Sequence, residues 1–449
     1  MIGVVLYFLP RRRAIGRVER RLKVAKIRDL QAYLATHGMG RALRHRDFAI
    51  FLLVGWVSGI GIWVQRIAIQ WLVWKLTGSF ALMGAIALAE VLAYMLIMPF
   101  AGVVADRVDR LRLARLSNAG AMLVSGILAG LVIGDAIDIY LLFALKMLNG
   151  VTIAFYTPIR YAITPNLVPR EDLSVAIGFG SMMFNLAQFV GPAVAGLIIA
   201  GPGLGYAFAF NALSYVFTLI SLYLITLRRQ EHREKKTGFG ADIKEGISYV
   251  MTEPGVGPLI VVFFFSSLTM RGYLDLLPGF ADSLFHLGAD GVARLGVFSG
   301  LGAVAAGLFV ASFSRLEGLT RVVFGFMFAG IAFQLLYALA PSFEIGLAAI
   351  TGMGFCLLFM STGSMVIMQG RLHGAVRGRV MSLWGLIFRG APALGAVIVG
   401  ALAEIWGFRA PMAGSALLFL AVWAVMMTRR RALARDLEMP PADPPEPLS

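Results

Sequence analysis

Apolar residues in this chain fall in long blocks, and the polar residues collect in short clusters between them. A helix rises about 1.5 Å per residue, so about 20 apolar residues cross a hydrocarbon core of about 30 Å. Blocks of that length lie near residues 48–74, 80–104, 113–134, 139–162, 173–200 and 206–227, and again near 256–279, 291–312, 320–340, 345–368, 379–403 and 411–428. The pattern predicts an all-α membrane protein with twelve transmembrane helices in two six-helix halves. Five segments follow: a basic N-terminal segment 1–47, a first half 48–227, a connector 228–255, a second half 256–428 and a tail 429–449. The tail ends in "MPPADPPEPLS" and is expected to be disordered. The second half of the connector, within "KKTGFGADIKEGISYV", is weakly amphipathic and reads either as a helix at the membrane surface or as a solvated linker.

The polar clusters carry the orientation. Bases crowd the N-terminal segment, the stretch "AGVVADRVDRLRLAR" at 101–115, "RRQEHREKK" at 228–236, Arg315 and Arg321, "RLHGAVRGR" at 371–379 and "RRRALAR" at 429–435. All of these fall on one side of the twelve spans. The alternate connectors, such as "GDAID", "GPGLG" and "PSFE", hold no base, and only Lys75, Arg294 and Arg409 lie on that side. Lys and Arg mark cytoplasmic loops, so both termini are expected in the cytoplasm.

Composition agrees with the spans: 59% of residues are hydrophobic, 14% are charged and the mean hydropathy is +0.79. The net charge of +15 does not indicate nucleic acid, because the bases sit at the ends of apolar runs and not on one face of a soluble module. The single cysteine, Cys356, excludes an intrachain disulfide. The five histidines are scattered, with no metal-ligand spacing, and no G-x-x-x-x-G-K-[ST] loop is present. No enzyme, cofactor, metal site or ATP-driven cycle is expected. "MIGVVLYFLP" precedes "RRR", the reverse of a signal peptide. A start at Met39 would leave a conventional short cytoplasmic lead, so Met1 and Met39 both stand as candidate starts.

A repeat links the halves. "GPAVAGLI" at 191–198 and "APALGAVI" at 391–398 each occupy the fifth block of their half. Gly191, Pro192, Gly196 and Pro392 are therefore candidates for bending or sealing helices at a contact between halves. Gly55 and Gly59, and Gly126, Gly130 and Gly134, have the spacing of helix-packing glycines.

The stretch "GVVADRVDR" at 102–110 resembles the loop signature G-x-x-x-D-R-x-G-R-[RK] of the major facilitator superfamily. Gly102, Asp106, Arg107 and Arg110 fill their places; Asp109 stands for the glycine and Leu111 for the last base. "KMLNG" at 146–150 resembles the R-x-x-Q-G element of the fourth span, and "AQFVGPAVAG" at 187–196 the antiporter element of the fifth. "WVQRIAIQWLVWKLTGS", "TPIRYAITPNLVPREDL", "RGYLDLLPGFAD" and "RGRVMSLWGLIFRGAPALGA" look like the enterobactin-exporter-type branch of bacterial efflux permeases. The resemblance implies the major facilitator fold and a cytoplasmic latch built on Gly102, Asp106, Arg107 and Arg110. It also implies proton-driven export of a small amphipathic drug, siderophore or metabolite by a monomer among membrane lipids. An importer or lipid-moving permease on the same fold, or a non-transporting scaffold or sensor, are the alternatives.

Ionisable residues inside spans cost roughly 2.5–3.5 kcal/mol each at the bilayer centre, so each is a functional candidate. Glu90 falls near the midplane and is the candidate for proton coupling; the alternative is a fixed pair with Lys146 or Arg66. Arg66, Lys146, Arg271 and Asp275 fall in the outer half and Arg389 near the middle, as cavity or gate candidates. Arg271 and Asp275 are four residues apart and are expected to pair on one helix face. Gln65, Gln70, Asn185, Gln188, Asn211 and Gln334 are polar residues suited to line a cavity or bond between helices, and Trp63, Phe184 and Phe388 would suit an amphipathic substrate.

Overall fold

The computed structural model describes residues 39–227, 239–310, 318–372 and 374–438. Twelve of its helices are long and apolar enough to cross a membrane. In chain order they are α1 (Arg46–Thr77), α2 (Phe80–Arg107), α3 (Arg110–Ile133), α4 (Ile139–Leu167), α5 (Leu173–Ala200) and α6 (Leu204–Leu224). The second half holds α7 (Val256–Met270), α8 (Gly288–Val310), α9 (Leu319–Ala338), α10 (Phe343–Arg371), α11 (Gly374–Trp406) and α12 (Arg409–Thr428). Each expected span is present. The basic connectors lie at one end of the bundle, called here the basic end, and the other connectors at the far end.

Short polar side chains start several helices by accepting from an orphan backbone N–H. Ser79 accepts from Leu82 N at 3.1 Å and Asp138 from Leu141 N at 2.7 Å. Asp109 does the same for α3, accepting from Arg112 N at 2.8 Å, with φ −53°. The residue that replaces the signature glycine therefore needs no left-handed conformation and serves as a cap. Gly78, between α1 and α2, does adopt φ +60°.

The same pairings recur in both halves: α1 with α5 and α6, α2 with α4, and α3 with α4 and α6, matched by α7 with α11 and α12, α8 with α10, and α9 with α10 and α12. The halves meet along two equivalent seams, α2 against α11 and α5 against α8. The repeated motif lies in those seams. Pro192 would obstruct a side chain at Gly296, and a Cβ at Gly84 would come 2.5 Å from Ala396 O. The expected packing glycines fare differently: a Cβ at Gly59 meets Ala187 at 3.1 Å, whereas Gly126 and Gly130 have nothing within 4 Å. Close approach depends on which way a glycine faces, and spacing alone does not report it.

Two further expectations are corrected, and of the two readings of the connector the helix is the one found. The seventh span is not one helix: α7 passes into a 3₁₀ turn at Arg271–Asp275 and resumes as a helix over Leu277–Phe285. The connector holds a helix, Phe239–Thr252, docked on α11, where a Cβ at Gly246 would lie 3.1 Å from Arg379 O. The tail begins with a helix, Arg430–Glu438, instead of being disordered from 429. Its Leu433 and Leu437 are four apart and buried against the second half, which gives one face a reason to order. The upstream segment with the two candidate starts up to residue 38, and the proline-rich 439–449, lie outside the described residues.

One contact at the basic end anchors the entry to α1. Asp172 is buried, and it accepts from Arg41 Nε and lies 2.8 Å from His45 Nε2. The His45 hydrogen bond, helped by Arg41, outweighs burial and holds the Asp172 carboxyl below the usual carboxylate range. A depressed folded pKa adds stability that is present above the unfolded value near 4 and is lost as pH falls through the folded value. Asp172→Asn is therefore expected to unfold at a lower temperature than wild type at pH 7, with the gap closing below about pH 4. Thermal unfolding in detergent at both pH values checks this; a gap that persists in acid would count against the pairing.

Candidate functional site

Between the halves, the ionisable residues expected in the membrane come together from five helices. Asp275, 2% exposed, sits in the turn that breaks the seventh span and faces α1. Arg66 Nε and Nη2 grip its two oxygens at 3.0 and 2.9 Å, and Gln70 Nε2 lies 3.5 Å away. The expected pairing of Arg271 with Asp275 on one helix face does not form. The 3₁₀ turn removes the helical register that would align them, and Asp275 instead bridges the halves. Arg271 lies over the Phe388 ring with its Cζ 4.0 Å from the centroid.

One layer deeper, Glu90 of α2 pairs with α4. Lys146 Nζ is 2.7 Å from Glu90 Oε2, and Asn149 Nδ2 donates to Oε1 at 2.6 Å. The alternative of a pair with Lys146 is what the structure holds, although the Glu90 side chain stays 23% exposed while Lys146 is 8% exposed. Asn149 Oδ1 is buried with no hydrogen-bond partner among the described residues. Closest to the basic end, Arg389 of α11 lies over Tyr94 of α2 at 4.8 Å.

The far end is closed by contacts that cross the halves. Trp74 Nε1 donates to Asp282 Oδ2 at 2.8 Å, and Glu404 Oε1 accepts from Ser79 Oγ at 2.7 Å and Ala81 N at 3.0 Å. Phe80 packs between Trp74 and Phe408 with tilted rings, centroids 4.9 and 5.4 Å away, and a side chain at Gly279 would strike its ring. Asp282, Glu404 and Phe80 were not singled out in the sequence. The only signal was an acid near the outer end of a span with no base beside it.

At the basic end the picture reverses. The apolar cluster there, with Phe48, Leu52, Leu113, Ile159 and Leu222, holds first-half residues alone. Along the α2–α11 seam, Met95 Cε lies 3.4 Å from a would-be Cβ at Gly390, and beyond it Leu96, Phe100 and Gly385 are exposed. Gly102 has nothing within 4 Å of a would-be Cβ, and Arg110 is half-buried; the side chains of Asp106 and Arg107 lie outside the described residues. The side chain of Asn185 is outside them too. Asn211 bonds Gln65 at 2.8 Å and Gln334 bonds Ser415 at 2.8 Å, so these amides join helices within a half.

Two matched six-helix halves, joined at the far end across paired charges, have the architecture of a transporter of the major facilitator superfamily. The chain belongs to the transmembrane secretion effector family, whose sequence model matches residues 40–448. Members of the superfamily are transporters and not enzymes. It is similar to the staphyloferrin A transporter of Staphylococcus aureus (strain NCTC 8325 / PS 47), 24% identical over 351 residues, 78% of this chain and 87% of that one. It is also similar to macrolide efflux protein A of Streptococcus pyogenes, 23% identical over 84% of this chain and 95% of that one. Among solved structures, a bacterial homologue of the human lysosomal transporter Spinster, in an inward-facing and unoccupied conformation, shares the fold. Its TM-score is 0.66 at 15% identity, over 88% of this chain and 98% of that one.

Proposed function

We propose that this protein exports a small amphipathic molecule across the bacterial inner membrane in exchange for protons, by alternating access, with the basic end and both termini in the cytoplasm. The observation that carries the reading is the asymmetry of the interface: Trp74, Ser79 and Phe80 join the second half at the far end, while the apolar cluster at the basic end holds first-half residues alone among the described residues. In that orientation the sealed far end is the periplasmic one, which supports a state that loads from the cytoplasm.

Glu90 is the proton site. It lies between the halves, and its partners suit both protonation states. Lys146 and Asn149 Nδ2 hold the carboxylate, and Asn149 Oδ1, unpartnered among the described residues, can accept from the protonated form after an amide flip. Arg66 and Asp275 form the outer gate. The 102–110 loop is the latch of the opposite state, in which Asp106, Arg107 and Arg110 would close the cytoplasmic end; the open space at Gly102 fits a latch that is released here. Pro192 and Gly196 lie against α8 on a seam on which the halves would rock, while Gly191 packs on Trp63 and Pro392 on Gly272, each within its own half.

Inverted vesicles containing the protein, energised so that their interior is acid, should accumulate fluorescent amphipathic compounds, and a protonophore should abolish the accumulation. Accumulation that survives the protonophore would remove proton exchange, and accumulation only in right-side-out vesicles would make the protein an importer.

A further inference from the structure

The charges between the halves do not balance. Away from the far-end seal, where Asp282 and Glu404 lie, Arg66, Lys146, Arg271 and Arg389 stand with Glu90 and Asp275, four cations against two carboxylates. Arg66 engages Asp275 and Lys146 engages Glu90. Arg271 and Arg389 are left, and among the described residues neither forms an ion pair or donates a hydrogen bond. Each is seated on a ring: Arg271 on Phe388 at 4.0 Å and Arg389 on Tyr94 at 4.8 Å. Phe388 and Arg389 are neighbours in α11, so two guanidiniums and two rings run from the α7 break across α11 to α2.

Stacking occupies the face of a guanidinium and leaves its in-plane N–H donors free, in a fork that matches a carboxylate. Arg271 is half-buried and Arg389 is exposed, so the ladder runs from a shielded to an open position between the halves. Arg271 is partly shielded from bulk water and shares the nearby carboxylate of Asp275 with Arg66, so its charge is under-compensated, which is costly. A bound molecule that carries negative charge removes that cost, whereas a cationic one adds to it.

We propose that the substrate is an amphipathic organic anion, with an aromatic or conjugated body against Phe388 and Tyr94 and carboxylate groups engaged by Arg271 and Arg389. This rests on the transport reading above and names the substrate class of the same site; cationic amphiphiles are excluded by it.

The test compares two probes that share one ring system and differ in charge, pyrene-1-butyrate and 4-(pyren-1-yl)butyl-trimethylammonium, binding to the purified full chain in lipid nanodiscs. The anion is expected to bind at least about tenfold tighter, and Arg271→Gln or Arg389→Gln to weaken it about tenfold each. Arg271→Lys and Arg389→Lys, which keep charge and lose the fork, should retain the preference for the anion with reduced affinity. Variants are compared only where they elute as a single species and unfold like wild type; the lysine variants keep the test decisive if the glutamine ones do not fold. Equal or tighter binding of the cation by wild type would overturn the proposal, as would unchanged anion affinity in a folded Arg271→Gln/Arg389→Gln variant. Flux in proteoliposomes separates the two readings. Anion-selective binding with no proton-driven flux would sink export and leave the substrate class. Proton-driven flux of the cation that the double variant leaves intact would sink the class and leave export.

Discussion

Glu90→Gln is expected to abolish protonophore-sensitive accumulation in inverted vesicles and also to destabilise the protein, and the two losses can be separated. Glutamine keeps the shape and can still accept from Asn149, but it cannot ionise, so no proton can be exchanged at this position. It also strands Lys146, whose side chain is 8% exposed and has Glu90 as its 2.7 Å partner. Removing one member of a buried pair costs about 3–5 kcal/mol, because the remaining charge is left uncompensated; replacing both by neutral groups is often close to neutral. Glu90→Gln/Lys146→Met should therefore regain wild-type unfolding behaviour in detergent while remaining inactive in the proton-driven assay. Coupled transport by either variant would assign proton exchange elsewhere and leave Glu90 and Lys146 as a structural pair.

The second large effect is expected at Gly84, in the α2–α11 seam. A Cβ there would lie 2.5 Å from Ala396 O and 2.6 Å from Val397 Cα, roughly 1 Å inside ordinary contact, and both obstacles are backbone. Gly84→Val cannot be relieved by a rotamer change, so the seam must open. Overpacking of this kind costs about 1–3 kcal/mol. Charged against one state of a two-state transporter, that moves the equilibrium about 5–150-fold toward the state in which the far end is apart. Spin labels at Tyr140→Cys and Trp406→Cys, two exposed far-end positions on opposite halves, report the separation; the buried Cys356 is changed to Ala to leave only those two thiols. The distance should lengthen in Gly84→Val and transport should fall to near background. An unchanged distance would mean that the far-end seam is not what distinguishes the two states.

The twelve spans, the division into six and six and the bases gathered at one end were legible in the sequence. Hydropathy needs no partner: each apolar block is long enough by itself to satisfy its backbone in hydrocarbon, and its position is written locally. The repeat around Pro192 and Pro392 was legible as well, because symmetry between halves leaves a matching word in each. Glu90, Lys146, Arg66 and Asp275 stood out by the cost of charge in a membrane.

Their partners were legible only in part. Lys146 stood beside Arg66 as a candidate partner of Glu90 and is the one found, whereas Arg66 and Asp275, 209 residues apart, were not paired by the sequence. An apolar helix surface carries little information about its rotation, so the sequence offered Arg271 for Asp275 on helical spacing, and the 3₁₀ turn at Arg271–Asp275 made that spacing irrelevant. The same limit applies to glycine. Gly126 and Gly130 have the spacing of a packing motif and face open space, whereas Gly84 and Gly395 have no such pattern and lie hard against neighbouring backbone. By itself, then, the sequence determined how many helices there are, where they begin, and which residues are too polar for their surroundings. Only the tertiary structure decided which of those residues meet, which end of the bundle is sealed, and that Arg271 and Arg389 lack a carboxylate partner among the described residues, because those outcomes depend on helix rotation and on the rigid-body placement of two halves.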